Sequence, residues 1–255
     1  MLNKKNILNF GILFIILSFS LSAESDYASA KSKYQEKNWK ATIEEIAKIH
    51  DAGGNSYETH VLCAFAYNNL NDFTSSSAHF FQAMKFKPNE PRMRADHIRL
   101  FLNHDKTKGA LELATEAIER FSEDPEIQFL YAYTLFRRGK PKTALNRVEK
   151  LKSISQNDAE LLNLEGKIYY SLGNYDKADV SLKWASAINS DSAAIWNNLA
   201  LVQEKLFLAS RKSGKKKEAS QYLTEAKDSI QKAISLNAKE VPISKNAERI
   251  LSYSI

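Results

Sequence analysis

An all-α fold is what this sequence predicts, a right-handed solenoid of about six helix hairpins followed by a C-terminal capping helix, and three observations carry that expectation. Small and aromatic residues recur every 34 positions. Every proline falls where one helix would give way to the next. Between those breaks the apolar residues keep the three-and-four spacing of helices that bury one face. Repetition at this period means hairpins that cannot bury their apolar faces alone and stack to share a core.

The unit that starts at Ala159 serves as a ruler. Its eighth place is Gly166, its eleventh Tyr169, its seventeenth Tyr175, its twentieth Ala178 and its twenty-seventh Ala185. One period earlier the eighth, eleventh, twentieth and twenty-seventh places hold Ala132, Leu135, Ala144 and Leu151. Another step gives Ile98, Phe101, Ala110 and Ala117, and the next Ala64, Tyr67, Ser76 and Ala83, with Phe80 at the twenty-fourth place. A weaker copy contains Ala30, Trp39 and Ile46. Small residues at the eighth and twentieth places let two helices approach closely, and the larger ones fill the layer against the next hairpin. Units therefore start near 23, 57, 91, 125, 159 and 193.

The helix breakers give the same register independently. Pro88, Pro91, Pro125, Pro141 and Pro242 lie at unit borders or in the turn inside a unit, where a missing amide costs least. Gly53, Gly54, Gly139 and Gly173 fall in expected turns and Gly109 at the start of a second helix, whereas Gly166 is expected at a close helix contact.

This pattern resembles the tetratricopeptide repeat (TPR) family, over residues 23 to about 240. It departs from the family at Thr42 and Ser76, where alanine is usual, at His97 and Glu165 in the seventh place, and at Pro141 in an aromatic place. The resemblance implies a non-catalytic scaffold whose first helices line a concave groove that binds a protein or peptide. Carried over place by place, that groove contains Phe65, Asn69, Arg99, Phe129, Tyr133, Phe136, Arg137, Lys167 and Tyr170. Aromatic anchors beside cations are the composition of an interface hot spot, suited to an extended peptide or helix presenting apolar side chains and a carboxylate.

The hairpin from 193 to 240 breaks the period. Ala226, Ile230 and Ala233 arrive 14 positions late while Ile195, Leu199, Val202, Leu206 and Ala209, then Ala219 and Tyr222, keep helical spacing, so both helices are expected to be about seven residues longer. The hairpin is expected to project, with Arg211, Lys212, Lys215, Lys216 and Lys217 at its tip, either a solvated turn or a knob for an acidic partner or anionic lipid. In residues 241–255, Ile243, Ala247, Ile250 and Leu251 share one face and Ser244, Lys245, Asn246 and Glu248 the other, as a cap ending a complete array would.

At the N-terminus Lys4 and Lys5 precede an apolar stretch over 7–21 and then Ser22 and Ala23, the organisation of a secretory signal peptide with a cut after Ala23; an uncleaved anchor is the alternative. Loss of Lys4 and Lys5 lowers the formal charge from +6 to +4, a mild excess spread over alternating Lys and Glu that marks a solvated helical surface and disfavours nucleic acid. The single cysteine, Cys63, takes a packed place and can form no internal disulfide. The five histidines lack metal-ligand spacing, and only His97 and His104 are placed to share a helix face. With no phosphate loop, nucleophile elbow or Cys/His pairing, neither an enzyme nor a metal or cofactor is indicated. The expectation is an exported interaction scaffold of the bacterial cell envelope, periplasmic or envelope-associated, with a membrane-surface structural component held by the basic tip or the N-terminus as the second reading.

Overall fold

The computed structural model describes residues 26–155, 157–237, 239 and 241–254, all of whose regular structure is helical. The leader expected over 1–23 lies outside the described residues. Helix α1 covers 26–35. It is followed by α2 (Trp39–Asp51), α3 (Tyr57–Asn69), α4 (Phe73–Phe86), α5 (Pro91–Asn103) and α6 (Thr107–Arg120), which form one compact unit ending at Phe121. The second unit, from Ser122, contains α7 (Pro125–Arg137), α8 (Pro141–Lys152), α9 (Ala159–Ser171), α10 (Tyr175–Ile188), α11 (Ala193–Lys212), α12 (Lys216–Asn237) and α13 (Val241–Ser252).

The helix boundaries follow the period. Residues 56, 90, 124, 158 and 192 are the N-caps of successive first helices, and each, Ser56, Glu90, Asp124, Asp158 and Ser192, accepts from a free first-turn amide through its side chain. Pro91, Pro125 and Pro141 take the first helical position, where no amide partner is lost.

Inside each hairpin the chain reverses through one left-handed residue, and these too are 34 apart: Lys37, Asn71, Asp105, Gly139 and Gly173, with φ between 54° and 76°. The amide after each reaches back to the last turn of the preceding helix, as Asp72 N to Tyr67 O and Asn174 N to Tyr169 O do at 2.9 Å, which satisfies carbonyls a helix end leaves free. The next such residue is Gly214, which is 41 positions after Gly173. The turn of the long hairpin is therefore displaced by seven residues, so the two sevens expected from the sequence divide evenly between the helices. Helices α11 and α12 have 20 and 22 residues against 13 and 14 in α9 and α10.

The core sits where the ruler places it. At the eighth place Ala30, Ala64, Ile98, Ala132 and Ala200 are fully buried, and at the twentieth so are Thr42, Ser76, Ala110, Ala144 and Ala178. The two hydroxyls that replace alanine are satisfied by the backbone: Ser76 Oγ donates to Ala64 O at 2.8 Å, and Thr42 Oγ1 to Asn38 O at 2.9 Å. Glu165, 3% exposed, accepts from Lys152 Nζ at 2.7 Å and from Ser181 Oγ at 2.8 Å. His97 shares a 2.8 Å hydrogen bond with Ser77.

Two expectations are corrected at the C-terminal end, at Ala209 and at Leu251. Ala209 is exposed and Phe207 takes the buried position, because Tyr253 folds back onto Phe207 with ring centroids 5.4 Å apart. The base of the extension is thus packed by Tyr253. Ile243, Ala247 and Ile250 are buried in the cluster with Ala226, Ile230 and Ala233, but Leu251 is exposed, while Tyr253 packs on the neighbouring cluster of Phe207, Ala219 and Leu223.

Gly166 tests the close approach. A Cβ there would stand 2.5 Å from Leu182 Cγ, a branch point in a fully buried side chain. Gly166→Val is expected to cost about 1–3 kcal/mol by overpacking, read as a lower urea midpoint at unchanged m-value.

Candidate functional site: an aromatic and cationic surface on the first helices

In the second unit the candidate groove residues come from α7 and α9. Phe129, Tyr133, Phe136 and Arg137 fall at helical spacing on α7, each half-buried. The rings of Phe129 and Tyr133 lie parallel, 6.3 Å apart. Arg137 Nη1 donates to the Tyr133 hydroxyl at 3.3 Å, with its guanidinium 5.8 Å from the same ring. From α9, Lys167 Nζ sits 5.3 Å from the Tyr133 centroid and 5.6 Å from that of Phe136, so one ammonium is shared by two rings. These contacts hold both cations over an aromatic floor.

Lys167 and Tyr170 also line a cleft of about 180 Å³ with Leu182 of α10 and Asn198, Leu201 and Val202 of α11. Asn198 Nδ2 donates to Asn163 Oδ1 at 2.9 Å, tying α11 to α9 beside it. The cleft is lined by apolar Leu182, Leu201 and Val202, with the Lys167 cation and the Asn198 amide as its polar groups. Such a site can seat an apolar side chain and fix a neighbouring carboxylate or carbonyl; it contains no nucleophile held against a base.

The first unit treats its candidates differently. Phe65 packs edge-on against buried Phe80 at 5.3 Å, Asn69 donates to Phe65 O at 2.8 Å and to Tyr34 Oη at 3.4 Å, and Arg99 pairs with Asp96 at 3.2 Å. All three are engaged within their own unit.

The five basic tip residues separate into two groups. Arg211 lies over the rings of Phe207 and Tyr253, 5.0 and 6.0 Å from their centroids, and Lys215 pairs with Glu218 at 3.1 Å. Lys212, Lys216 and Lys217 are exposed.

A second constellation on α11 escapes sequence reasoning. The Glu204 carboxylate, 3% exposed, accepts from Arg249 Nε and Nη2 at 2.7 and 2.8 Å and from Tyr253 Oη at 3.0 Å. Asn246 Nδ2 donates to Asn197 Oδ1 at 2.9 Å. The hydrogen bond to Glu204 holds the Arg249 guanidinium above its ordinary range. Only the coincidence of Glu204 with a twelfth place, otherwise held here by Asn68, Leu102, Phe136 and Tyr170, hints at it in the sequence. Among the described residues no group of three or more His, Cys, Asp or Glu is arranged to hold a metal, and no helix is long and apolar enough to cross a membrane. His50, His60 and His79, on three different helices and at no regular spacing, meet in the first unit.

Stacked hairpins with closely packed small residues, capped every 34 positions and presenting their first helices as a surface, define a helical-repeat scaffold. The chain carries tetratricopeptide repeats: the TPR repeat model matches residues 166–206, and the model described as anaphase-promoting complex, cyclosome, subunit 3 matches 103–185. It is 42% identical over 66 residues to the signal recognition particle subunit SRP72 of Dictyostelium discoideum, a match that spans 25% of this chain and 9% of that protein. Among solved structures it is similar to TTC0263, a thermophilic TPR protein of Thermus thermophilus, with a TM-score of 0.61 and 20% identity over 78% of this chain and 100% of that one. Pseudomonas aeruginosa PilF gives 0.62 and 11% over 91% and 99%. The Cut9–Hcn1 hetero-tetramer of the APC/C gives 0.68 and 14% over 90% and 43%. At these identities the likeness is one of fold.

Arg249→Ala leaves the buried Glu204 carboxylate with Tyr253 as its remaining partner. The expected cost is about 2 kcal/mol, below the usual figure for a broken buried pair because the Arg249 side chain is half-exposed. Hydrogen exchange should quicken through α13 while α7–α10 keep their protection.

Proposed function

We propose that the chain is a non-catalytic scaffold that binds an extended peptide or a partner helix on the α7–α9–α11 surface of its second unit. TPR arrays serve in general as protein–protein interaction scaffolds, and the observation that carries the particular reading is the Phe129–Tyr133–Phe136 floor with Arg137 and Lys167 held over it. Rings positioned before binding lose little entropy on contact, and cations already seated against them are partly desolvated. A partner with an aromatic or aliphatic anchor for the cleft and a carboxylate for Lys167 fits this surface. The charge pattern of residues 4–23 supports an exported protein acting in the cell envelope.

A second reading rests on Lys212, Lys216 and Lys217, exposed together around the long hairpin's turn, which suit an anionic membrane surface. The two readings separate cleanly. Tyr133→Ala with Phe136→Ala should reduce crosslinked partner in cells at least tenfold, with helicity and melting unchanged; undiminished crosslinking sinks the groove assignment. Reversing the three lysines to Glu should leave that crosslinking intact, and abolished binding to anionic vesicles in that variant would move the assignment to the tip.

A further inference from the structure

Three histidines with no common spacing in the sequence are brought together in the first unit. His50 lies at the end of α2, His60 on α3 and His79 on α4. Nδ1 of His60 and Nδ1 of His79 are 2.9 Å apart. The His50 ring centroid is 4.7 Å from that of His60 and 6.1 Å from that of His79, and the last two are 5.1 Å apart. Tyr67 stacks on His79 at 5.5 Å, Phe86 covers His60 at 5.7 Å, and His50 Nε2 is fixed by Thr59 Oγ1 at 2.9 Å.

The Nδ1 contact is a hydrogen bond only while one of its two nitrogens is bare, so that one ring donates and the other accepts. A first proton can be shared along it. A second turns both nitrogens into donors that face each other, in a site where His50 already limits any further positive charge. The surrounding groups do little to offset this. Asp51, next to His50 on α2, is the carboxylate that acts on the stack among the described residues, and it acts on His50 alone. On α3 and α4, Glu58 and Lys87 pair with each other at 2.9 Å, Asp72 is spent capping α4, Lys85 lies over Phe81, and Cys63 and Tyr67 are uncharged neighbours.

We propose that the His50–His60–His79 stack is an acid-operated latch, which holds α1 and α2 against α3 and α4 at neutral pH and releases them when protons enter it. The face it keeps closed carries Ala30, Ile46, Ile49, Leu62 and Cys63. Burial holds His60 down to about 4, with the His50 and His79 rings adding to the effect, and burial lowers His50 and His79 as well. The unfolded imidazole titrates near 6.5, so the opened state takes up protons first. The latch is at full strength above about pH 6.5 and weakens as pH falls from there towards 4. More than one proton is needed to break the Nδ1 contact, which makes the release steep.

Cys63, the single thiol and only 2% exposed, reports opening directly. The rate at which 4,4′-dithiodipyridine labels Cys63 in the full chain is to be measured from pH 7.5 to 4.5, each rate divided by that of the urea-unfolded chain at the same pH. The relative rate is expected to rise at least tenfold between pH 7.5 and 5, more steeply than a single proton allows. His60→Gln with His79→Gln keeps polar side chains without proton uptake and should flatten the profile. His97→Gln should leave it as in the unaltered chain; His97 is also held down to about 4, but it lies on α5 against Ser77. A flat profile in the unaltered chain, an unchanged one in the double variant, or loss of the response in His97→Gln overturns the latch. Should the double variant lack native helicity at pH 7.5, imidazole proton resonances of the unaltered chain decide. Concerted titration of the three with thiol exposure supports the latch, and independent titration near 6.5 sinks it.

Discussion

Two helices of a hairpin must approach closely over one patch, and the rest of this structure depends on that contact. At the eighth and twentieth places the side chain is fully buried in hairpin after hairpin, and apart from Ile98 it is small, whether alanine, serine, threonine or glycine. Large residues at both places would separate the helices and open gaps that no neighbour could fill, since interior packing leaves no slack; where Ile98 takes the eighth place, Ala110 keeps the twentieth small. Close approach in turn fixes which faces are left over. The first helices turn their remaining aromatic and polar places away from the hairpin contact, and only because the pair cannot rotate do Tyr133 and Lys167 meet at one point.

Polar residues inside this packing are tolerated where the geometry supplies a partner. A buried hydroxyl without a hydrogen bond costs about 1–3 kcal/mol, yet Ser76 fits where alanine would, because the carbonyl of Ala64 on the facing helix is within 2.8 Å. Glu165 is a stronger case, a carboxylate at a packed place, bound by Lys152 from α8 and Ser181 from α10. It ties three helices at once, which an apolar residue of similar size cannot do with comparable direction. Among the departures from the repeat pattern, Glu165 and His97 are therefore additional links between hairpins, whereas Ser76 and Thr42 are satisfied within their own hairpin.

How much of this was legible in the sequence depends on whether a contact repeats. The period, the proline positions, the buried small places and the extra seven residues in each helix of the long hairpin all leave a mark in the spacing, and the α7 and α9 aromatics were found by counting places. The left-handed turn was legible only at Gly139 and Gly173. At Asn71 and Asp105 the side chain tolerates that conformation, and at Lys37 nothing in the residue type announces it; the position is forced by the helices on either side. The contacts of His50 with His60 and His79, and of Glu204 with Arg249, occur once each and join residues at unrelated spacings. Their partners are chosen by how one hairpin lies on the next, which a single sequence does not display.

Those one-time contacts also differ in kind from the repeated ones. Apolar packing along an array is additive and nearly indifferent to pH, so it can hold hairpins together without making any one of them conditional. Glu204 with Arg249 and the three imidazoles each place ionisable groups at a junction between helices, where the bond depends on protonation or on one specific partner. Glu204 is paired by a guanidinium that stays charged across the accessible pH range, so α13 is held under all conditions in which the carboxylate is ionised. The imidazoles at the α2–α3–α4 junction carry no such permanent partner, and their neutrality at pH 7 is itself the condition of packing. The same scaffold thus has one junction made permanent and another made conditional, and the difference lies in which cation chemistry stands at each.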